Sequence, residues 1–246
     1  LYLPILMVII YSFNSGRTIG SWQDFTTSWY SRLFSNALMA DALKNSLILA
    51  VVSSLLAGGV GTLGAIGLAR SHLKLGGVVE TLATLPMMIP ELVLGMAYLS
   101  VFTAVGFKLG MGALVLTHTT FCIPYVFINV KSRLIGMDPS LSEAARDLGC
   151  NSAGVLRRVI FPLSLPGVIS GITMVFVPSV STFAISRMLG GGTELLLGDL
   201  IERQFLGGAY NPQLGAAISL VMMLVVVVCM LVMNRFGEGE EQAVML

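Results

Sequence analysis

Long apolar runs, separated by short polar segments, dominate the chain. Four of these runs contain no charged residue, namely 47–69, 109–130, 163–186 and 213–234. A fifth run, 81–105, contains a single acid, Glu91. Because a helix needs about 20 apolar residues to cross the hydrocarbon core of a bilayer, each run is long enough to span a membrane. The pattern therefore predicts five membrane-spanning helices.

The opening run, residues 1–13, is apolar but too short to span a bilayer by itself. We interpret it as the end of a sixth helix that begins before Leu1. A cleaved signal is the alternative, but no small-residue cleavage motif follows this run. The expected fold class is all-α, a polytopic transmembrane helix bundle of six spans with the first truncated. We expect residues 1–246 to form a single domain.

Composition agrees with a membrane protein. Of 246 residues, 55% are hydrophobic and 11% are charged, whereas about 25% of the residues in soluble globular proteins are charged. Mean hydropathy is +0.88. The net charge of +1 gives no reason to expect a nucleic-acid partner. Three scattered cysteines, Cys122, Cys150 and Cys229, are interpreted as small buried hydrophobic residues rather than as a disulfide or a metal site.

Lys and Arg in the connecting segments predict the orientation, since they accumulate on the cytoplasmic side. If both termini are cytoplasmic, eight of these residues lie inside: Arg70, Lys74, Lys131, Arg133, Arg146, Arg157, Arg158 and Arg235. Six lie outside: Arg17, Arg32, Lys44, Lys108, Arg187 and Arg203. The inside loops are also shorter, so their positive charge is denser. This orientation places two long segments, 14–41 and 187–212, outside the membrane.

A charged segment, residues 138–165, separates two of the apolar runs. Asp138, Pro139 and Ser140 are typical of a helix N-terminus, and Gly149 is expected to end that helix. A second helix is expected from about residue 152 to 160, until Pro162 and Pro166 break it. Five charged residues fall within sixteen positions: Glu143, Arg146, Asp147, Arg157 and Arg158. The pattern leaves open whether the helix pair lies on anionic lipid head groups or contacts a protein.

The same segment resembles the EAA loop of binding-protein-dependent ABC importer permeases. That pattern is EAA, three residues, Gly, nine residues, Ile, one residue, Leu-Pro. Here Val159 stands for the Ile and Phe161 for the Leu. The resemblance implies the type I ABC importer permease fold and a cytoplasmic loop whose helices seat in a separate ATPase subunit. The coupling residues that it implies are Glu143, Ala144, Ala145, Asp147, Gly149 and Pro162.

The resemblance also implies partners and a location. The partners are two ATPase subunits, a second homologous permease subunit and an extracytoplasmic substrate-binding protein that docks on segments 14–41 and 187–212. The location is the inner membrane of a bacterial cell. We expect no cofactor and no enzyme activity in this chain, because it lacks the glycine-rich motif that cradles ATP phosphates. No zinc site is expected either, since His72 and His118 lie far apart in the sequence.

Glu91 is the most informative residue inside an apolar run. A bare carboxylate at this depth costs a few kcal/mol, so it should face a cavity or a partner. Pro86 and Pro90 remove backbone donors and are expected to kink the helix beside the acid, which exposes carbonyl groups. An acid with exposed carbonyls attracts a cation. The alternative is a structural carboxylate, either protonated or hydrogen-bonded by a Thr or by His118 of a neighbouring helix.

Small residues recur every four positions in the second span, at Ala57, Gly61, Ala65 and Ala69. Such a face allows two helix backbones to approach closely in lipid. The spacing therefore predicts a helix-packing surface.

Beyond the loop, the chain resembles the spermidine/putrescine permeases over most of its length. The matching segments are 11–15, 29–30, 88–91 and 118–125. Polyamines are polycations, so the resemblance implies a substrate pathway formed by Glu91, Phe121, Tyr125 and His118, through charge and cation–π attraction. Segment 177–182 lacks the paired acids that many of these permeases carry, which leaves another small cationic or organic solute open as the substrate. An ion-gradient-driven transporter and an uncoupled channel or scaffold are the rival classes.

Overall fold

The computed structural model describes residues 2–16, 18, 20–70, 76–192, 194–206 and 210–244. Arg17 and Lys74, which entered the orientation argument, and His72 lie outside the described residues. Regular structure in the described part is helical, and its β pairing is limited to an isolated bridge between Asn14 and Phe25. The all-α class is confirmed.

Twelve α-helices occur in the described chain: α1 Leu3–Ser12, α2 Ser28–Ser35, α3 Ala37–Arg70, α4 Gly76–Thr84, α5 Glu91–Ala104, α6 Met111–Ile135, α7 Ser140–Asp147, α8 Ser152–Val155, α9 Phe161–Ser181, α10 Ala184–Leu189, α11 Leu197–Leu206 and α12 Pro212–Val244. A 3₁₀ turn, Leu85–Met88, follows α4. A π-helical turn, Leu156–Ile160, joins α8 to α9.

Four helical stretches among the described residues are long and apolar enough to cross a membrane: α3, α6, Ser152–Ser181 and Pro212–Met233. Gly76–Met88 and Glu91–Ala104 add a fifth if two halves bent by 104° count as one span. Helix α1 is apolar but only 10 residues long. One predicted run ends early, because the helix stops at Ser181 and the residues after the break form α10.

The contacts of the described chain form two compact units. The first contains the described parts of residues 1–51, 91–117 and 177–229, and the second those of 52–90, 118–176 and 230–246. The single domain expected from the sequence stays a prediction.

Two apolar clusters hold the first unit together. The first joins α2, α3, α11 and α12 through Trp29, Leu33, Met39, Ala42, Leu197, Ala217 and Ile218. The second joins α3, α5, α6 and α10, and also contains Leu196, which precedes α11; its members are Leu49, Phe102, Ala113, Leu114, Ile185, Leu189 and Leu196. Helix α5, which begins at Glu91, is therefore packed against α10.

Asn14 organises the loop between α1 and α2. Its side-chain oxygen accepts the backbone N–H groups of Gly16 at 3.2 Å and Gln23 at 3.0 Å. Its amide donates to the Ser21 carbonyl at 2.7 Å, and its own carbonyl accepts the indole N–H of Trp29 at 2.8 Å. Trp29 is buried, whereas Trp22 in the loop before α2 is exposed.

Close approach of backbones shapes the second unit. A Cβ atom at Gly61 of α3 would lie 2.9 Å from the Cβ of Val126 in α6, and one at Gly171 of α9 would lie 2.9 Å from the Cα of Val126. Ala57 and Ala65 are fully buried in the cluster on the same face. The predicted small-residue surface is therefore present over these two turns, although Ala69 is exposed.

Candidate functional site

The charged segment folds as two short helices with polar groups at both starts. Asp138 accepts the Ser140 N–H at 2.9 Å where α7 begins, and Asn151 accepts the Gly154 N–H at 2.8 Å where α8 begins. The bond from the Ser140 N–H holds the pKa of the Asp138 carboxyl below its ordinary value. The Asp138 anion lies at the positive end of the α7 dipole, where negative charge is favoured.

Gly149 makes the turn between these helices. Its φ is +86°, in the left-handed region where side chains with a Cβ are strained. The Gly149 N–H donates to the Arg146 carbonyl at 2.8 Å, and the Cys150 N–H donates to the Ala145 carbonyl at 3.0 Å. These bonds satisfy carbonyls at the end of α7, as in other glycine-terminated helices. The predicted end of the first helix at Gly149 is confirmed.

One side of the helix pair is anchored and the other is open. Val155 and Ile160 form a buried cluster with Ile66 of α3, and Ala145 is half-buried against it. The other residues implied for coupling are exposed, namely Glu143, Ala144, Asp147, Gly149 and Pro162. Leu148, between the exposed charges and the turn, is 87% exposed. Large exposed apolar side chains of this kind are typical of protein contact surfaces when they belong to a patch.

The expectation that Pro162 and Pro166 end the second helix is wrong. The helical path runs from Ser152 through both prolines to Ser181. The π-helical turn Leu156–Ile160 ends two residues before Pro162. A proline has no N–H and its ring crowds the carbonyl four residues earlier, and a wider π turn at that point makes room for the ring. The α8 helix is therefore continuous with a membrane-spanning helix.

Glu91 is the first residue of α5, at the break between the two halves of the bent span. The kink predicted from Pro86 and Pro90 is confirmed by the angle of 104°. Glu91 is half-buried, and its Oε1 atom accepts the hydroxyl of Thr182 at 3.1 Å. A threonine or His118 was expected to donate to Glu91 if its carboxylate is structural, and the donor observed here is a threonine. The carboxylate also lies at a helix N-terminus, where the dipole stabilises it.

The three other residues implied for the substrate pathway belong to the second unit, whereas Glu91 belongs to the first. Phe121 and Tyr125 are half-buried on α6, with ring centroids 5.6 Å apart and planes tilted by 56°. His118 lies on the same helix but is 2% exposed, and its Nε2 atom has no hydrogen-bond partner. The two aromatic residues are therefore partly accessible, whereas the His118 side chain is not.

The sequence did not predict a polar connection between α10 and α11, on the side of the membrane predicted to be extracytoplasmic. Asp199 of α11 accepts the Ser186 hydroxyl of α10 at 2.8 Å and the Leu196 N–H at 3.1 Å. Asp199 is 7% exposed, and this burial raises the pKa of its carboxyl above the ordinary value, although both hydrogen bonds act in the opposite direction. The sequence feature that could have indicated this buried acid is its position inside a leucine-rich stretch, Leu195 to Leu200.

A cavity of about 520 Å³ lies beside Asp199. Charged residues of both signs line it: Arg187, Glu194, Glu202 and Arg203. Two of these lining residues, Arg187 and Glu202, form an ion pair. Among the described residues, no three His, Cys, Asp or Glu side chains come together as ligands for a metal ion.

Comparison with known proteins gives the family. The sequence model for "Binding-protein-dependent transport system inner membrane component" matches residues 57–239, which include the EAA loop. The spermidine/putrescine transport system permease protein PotC of Escherichia coli (strain K12) is 36% identical over 229 residues, 93% of this chain and 87% of that protein. The putrescine transport system permease protein PotI of the same strain is 30% identical over 251 residues, 99% and 89% of the two chains.

Solved structures show the same fold. A bacterial alginate ABC transporter, solved in complex with an alginate pentasaccharide-bound periplasmic protein, contains a chain that matches with a TM-score of 0.78 at 17% identity. The match covers 96% of this chain and 87% of that one. The fold is that of type I ABC importer permeases, as the EAA resemblance implied. The chain belongs to the family of binding-protein-dependent transport system inner membrane components.

Proposed function

We propose that this chain is a polyamine-translocating membrane subunit of an ATP-driven importer in the bacterial inner membrane. The observation that carries the proposal is similarity along nearly the whole chain to two permeases named for spermidine/putrescine and putrescine transport. The half-buried carboxylate of Glu91, placed at a break in a membrane span, suits a cationic solute. Another small cationic or organic solute is the alternative substrate.

ATP is bound and hydrolysed by two partner ATPase subunits, and this chain binds none. The α7–α8 pair is the contact through which their movement reaches the membrane helices. Three observations support this role: the exposed charges of α7, the exposed Leu148 and the anchoring cluster that includes Ile66 of α3. Because α8 continues into α9 as one helical stretch, a push on the pair is transmitted directly to a span.

Both termini lie in the cytoplasm in this proposal, and the outer segments 14–41 and 187–212 receive a substrate-binding protein. The loop pinned by Asn14 and the cavity beside Asp199 give these segments a preformed surface. A periplasmic protein is bound in the related alginate transporter. A second homologous permease subunit completes the pathway.

Within the membrane, Glu91 attracts an ammonium group of the substrate, and the rings of Phe121 and Tyr125 contribute cation–π attraction. His118 belongs to the same proposed pathway, and it contributes there only after a conformational change exposes it. A discontinuous span near the middle of the membrane is a common form of solute site in transporters.

Reconstitution tests the function directly. The chain is placed in proteoliposomes with its partner permease, the ATPase subunits and the binding protein, and uptake of labelled putrescine and spermidine is followed. We expect uptake only with ATP and all components present. Uptake driven by an ion gradient without the ATPase would favour a secondary transporter, and equilibrating flux without energy would favour a channel. Transport of another cation but of no polyamine would reject the substrate and retain the importer.

Replacing Glu91 by Gln tests its role in the pathway. The amide keeps an acceptor for Thr182 but removes the charge, so we expect the KM for polyamine uptake to rise about tenfold, the equivalent of about 1.4 kcal/mol. Glu80→Gln is the matched control, because Glu80 lies in the same bent span but forms an ion pair with Lys131. An unchanged KM in Glu91→Gln would remove this residue from the pathway.

A further inference from the structure

Thr182 connects the intramembrane acid to the outer helix α11. Its hydroxyl donates to Glu91 Oε1 at 3.1 Å, and its backbone carbonyl packs against Gly198 in the first turn of α11. A Cβ at position 198 would overlap the Thr182 carbonyl oxygen and lie 2.9 Å from its carbonyl carbon. Thr182 is 4% exposed. The contact with α11 therefore requires glycine at position 198, since any side chain would displace the Thr182 backbone.

The segment around Thr182 is held from two sides. Thr182 lies in the short break between α9 and α10. Helix α10 packs closely on α5, because a Cβ at Gly95 would lie 3.2 Å from the sulfur of Met188. One turn after Thr182, the Ser186 hydroxyl donates to Asp199, the residue that follows Gly198. Both α5 and α11 therefore fix the position of this break.

We propose that Thr182 is a positioning residue for Glu91 and that Gly198 determines where Thr182 stands. This inference rests on the proposed function, in which Glu91 meets the cationic substrate. A hydrogen bond weakens steeply as its length and angle depart from the optimum, so a small displacement of Thr182 reorients the carboxylate. Movement of α11, on the face where the binding protein docks, thereby changes how strongly Glu91 holds the solute. Since such linkage is reciprocal, solute at Glu91 also biases the position of α11.

Thr182→Val tests the hydroxyl, because valine keeps the shape and removes the donor. In the reconstituted complex we expect the KM for polyamine uptake to rise about fivefold with kcat changed less than about twofold, since a bond to a charged acceptor is lost. Thr182→Ser restores the hydroxyl and should restore the KM. A merely structural role would instead lower kcat or the yield of assembled complex in both variants.

Gly198→Ala tests the contact with α11. We expect it to raise the KM as Thr182→Val does, and the double variant to have the same KM as either single variant, because both act through one hydrogen bond. Gly215→Ala is the matched control. A Cβ there would lie 2.8 Å from the ring of Phe205 and 3.0 Å from the Cβ of Gln204, so it crowds α11 without touching Thr182.

The outcomes separate this inference from the proposed function. If Glu91→Gln raises the KM but Thr182→Val leaves it unchanged, only the positioning role fails. If Glu91→Gln has no effect while the complex transports polyamine, the role of Glu91 in the proposed function fails as well. Additive effects of Thr182→Val and Gly198→Ala, or equal effects of Gly198→Ala and Gly215→Ala, would overturn the link through Gly198. If Gly198→Ala does not assemble, the comparison of Val with Ser at position 182 still decides the role of the hydroxyl.

Discussion

At the scale of single residues, the turn at Gly149 depends on backbone conformation alone. A Cβ at this position would meet no atom within 4 Å, so space is not limiting. The left-handed φ costs an ordinary residue about 1–2 kcal/mol, whereas Asn visits this region more readily. Substitutions at Gly149 therefore separate the conformation of the turn from its bulk.

Gly149→Val is expected to reduce the amount of solute imported per ATP hydrolysed, and Gly149→Asn to reduce it much less. The reason is that Val cannot hold the left-handed turn that sets the angle between α7 and α8. Gly77→Val is the control, because position 77 has open space and no positive φ. Uptake and ATPase activity are measured together in proteoliposomes. A wild-type ratio in Gly149→Val would show that the turn does not matter for coupling.

Asp199 is expected to make stability depend on pH. Because burial raises its pKa in the folded chain, the native state binds this proton more tightly than the unfolded state does. The resulting contribution to stability is full below about pH 4, the unfolded value, and is lost as pH rises through the folded pKa. The unfolding midpoint of the solubilised chain should therefore fall with rising pH in this window, and less so in Asp199→Asn. Asp24→Asn, at an exposed position, is the control. If Asp199→Asn and the wild type showed the same dependence of stability on pH, Asp199 would not be the group responsible.

At the scale of helices, glycines of α3 allow the neighbouring helices α6 and α9 to pack closely against it, because glycine has no side chain. Gly61 contacts α6, and a Cβ at Gly58 would lie 2.8 Å from the Cδ1 atom of Ile172 in α9. In lipid, helices gain little from the hydrophobic effect and associate through close van der Waals packing. The glycines of this face therefore contribute to stability through the approach that they permit.

Gly61→Ala is expected to destabilise the chain by about 1–3 kcal/mol, because its methyl group overpacks the contact with Val126 and the Ile123 carbonyl. Gly59→Ala is the matched control on the same helix, since a Cβ there meets no atom within 4 Å. Alanine at position 59 should be neutral or stabilising, because alanine favours the helix over glycine by about 1 kcal/mol. The free energy of unfolding of each solubilised variant is measured by titration with a denaturing detergent. Equal stability of the two variants would argue against close packing at Gly61.

At the scale of the whole molecule, the proposed orientation places α2 and α8 on opposite sides of the membrane. Ser31 of α2 and Ala153 of α8 are both exposed, so cysteines introduced there should react with a membrane-impermeant thiol reagent. With the three native cysteines replaced by serine, we expect Ser31→Cys to react in intact cells with a permeabilised outer membrane. Ala153→Cys should react only in inverted vesicles. Labelling of both from the same side would reject the topology.

Much of the fold could be predicted because it follows from local rules. The bilayer sets the length of a span, and the need to satisfy backbone groups inside lipid requires those spans to be helices. The coupling segment was equally local: Asp138, Gly149 and the spacing between Glu143 and Pro162 act within a few turns of the chain. The kink at Glu91 also followed from two neighbouring prolines.

By itself, then, the sequence determined that the chain consists of apolar membrane-length helices, the break at Glu91 and the helix pair after Asp138, because each depends on residues close together in the chain. Only the tertiary structure decided that the helix continues through Pro162, that Ala69 is exposed and that His118 is buried. It alone joined Glu91 to Thr182, 91 residues away, and placed Gly198 against that threonine. Helical periodicity shows which side chains share a face, but the partner of each face depends on how distant segments pack.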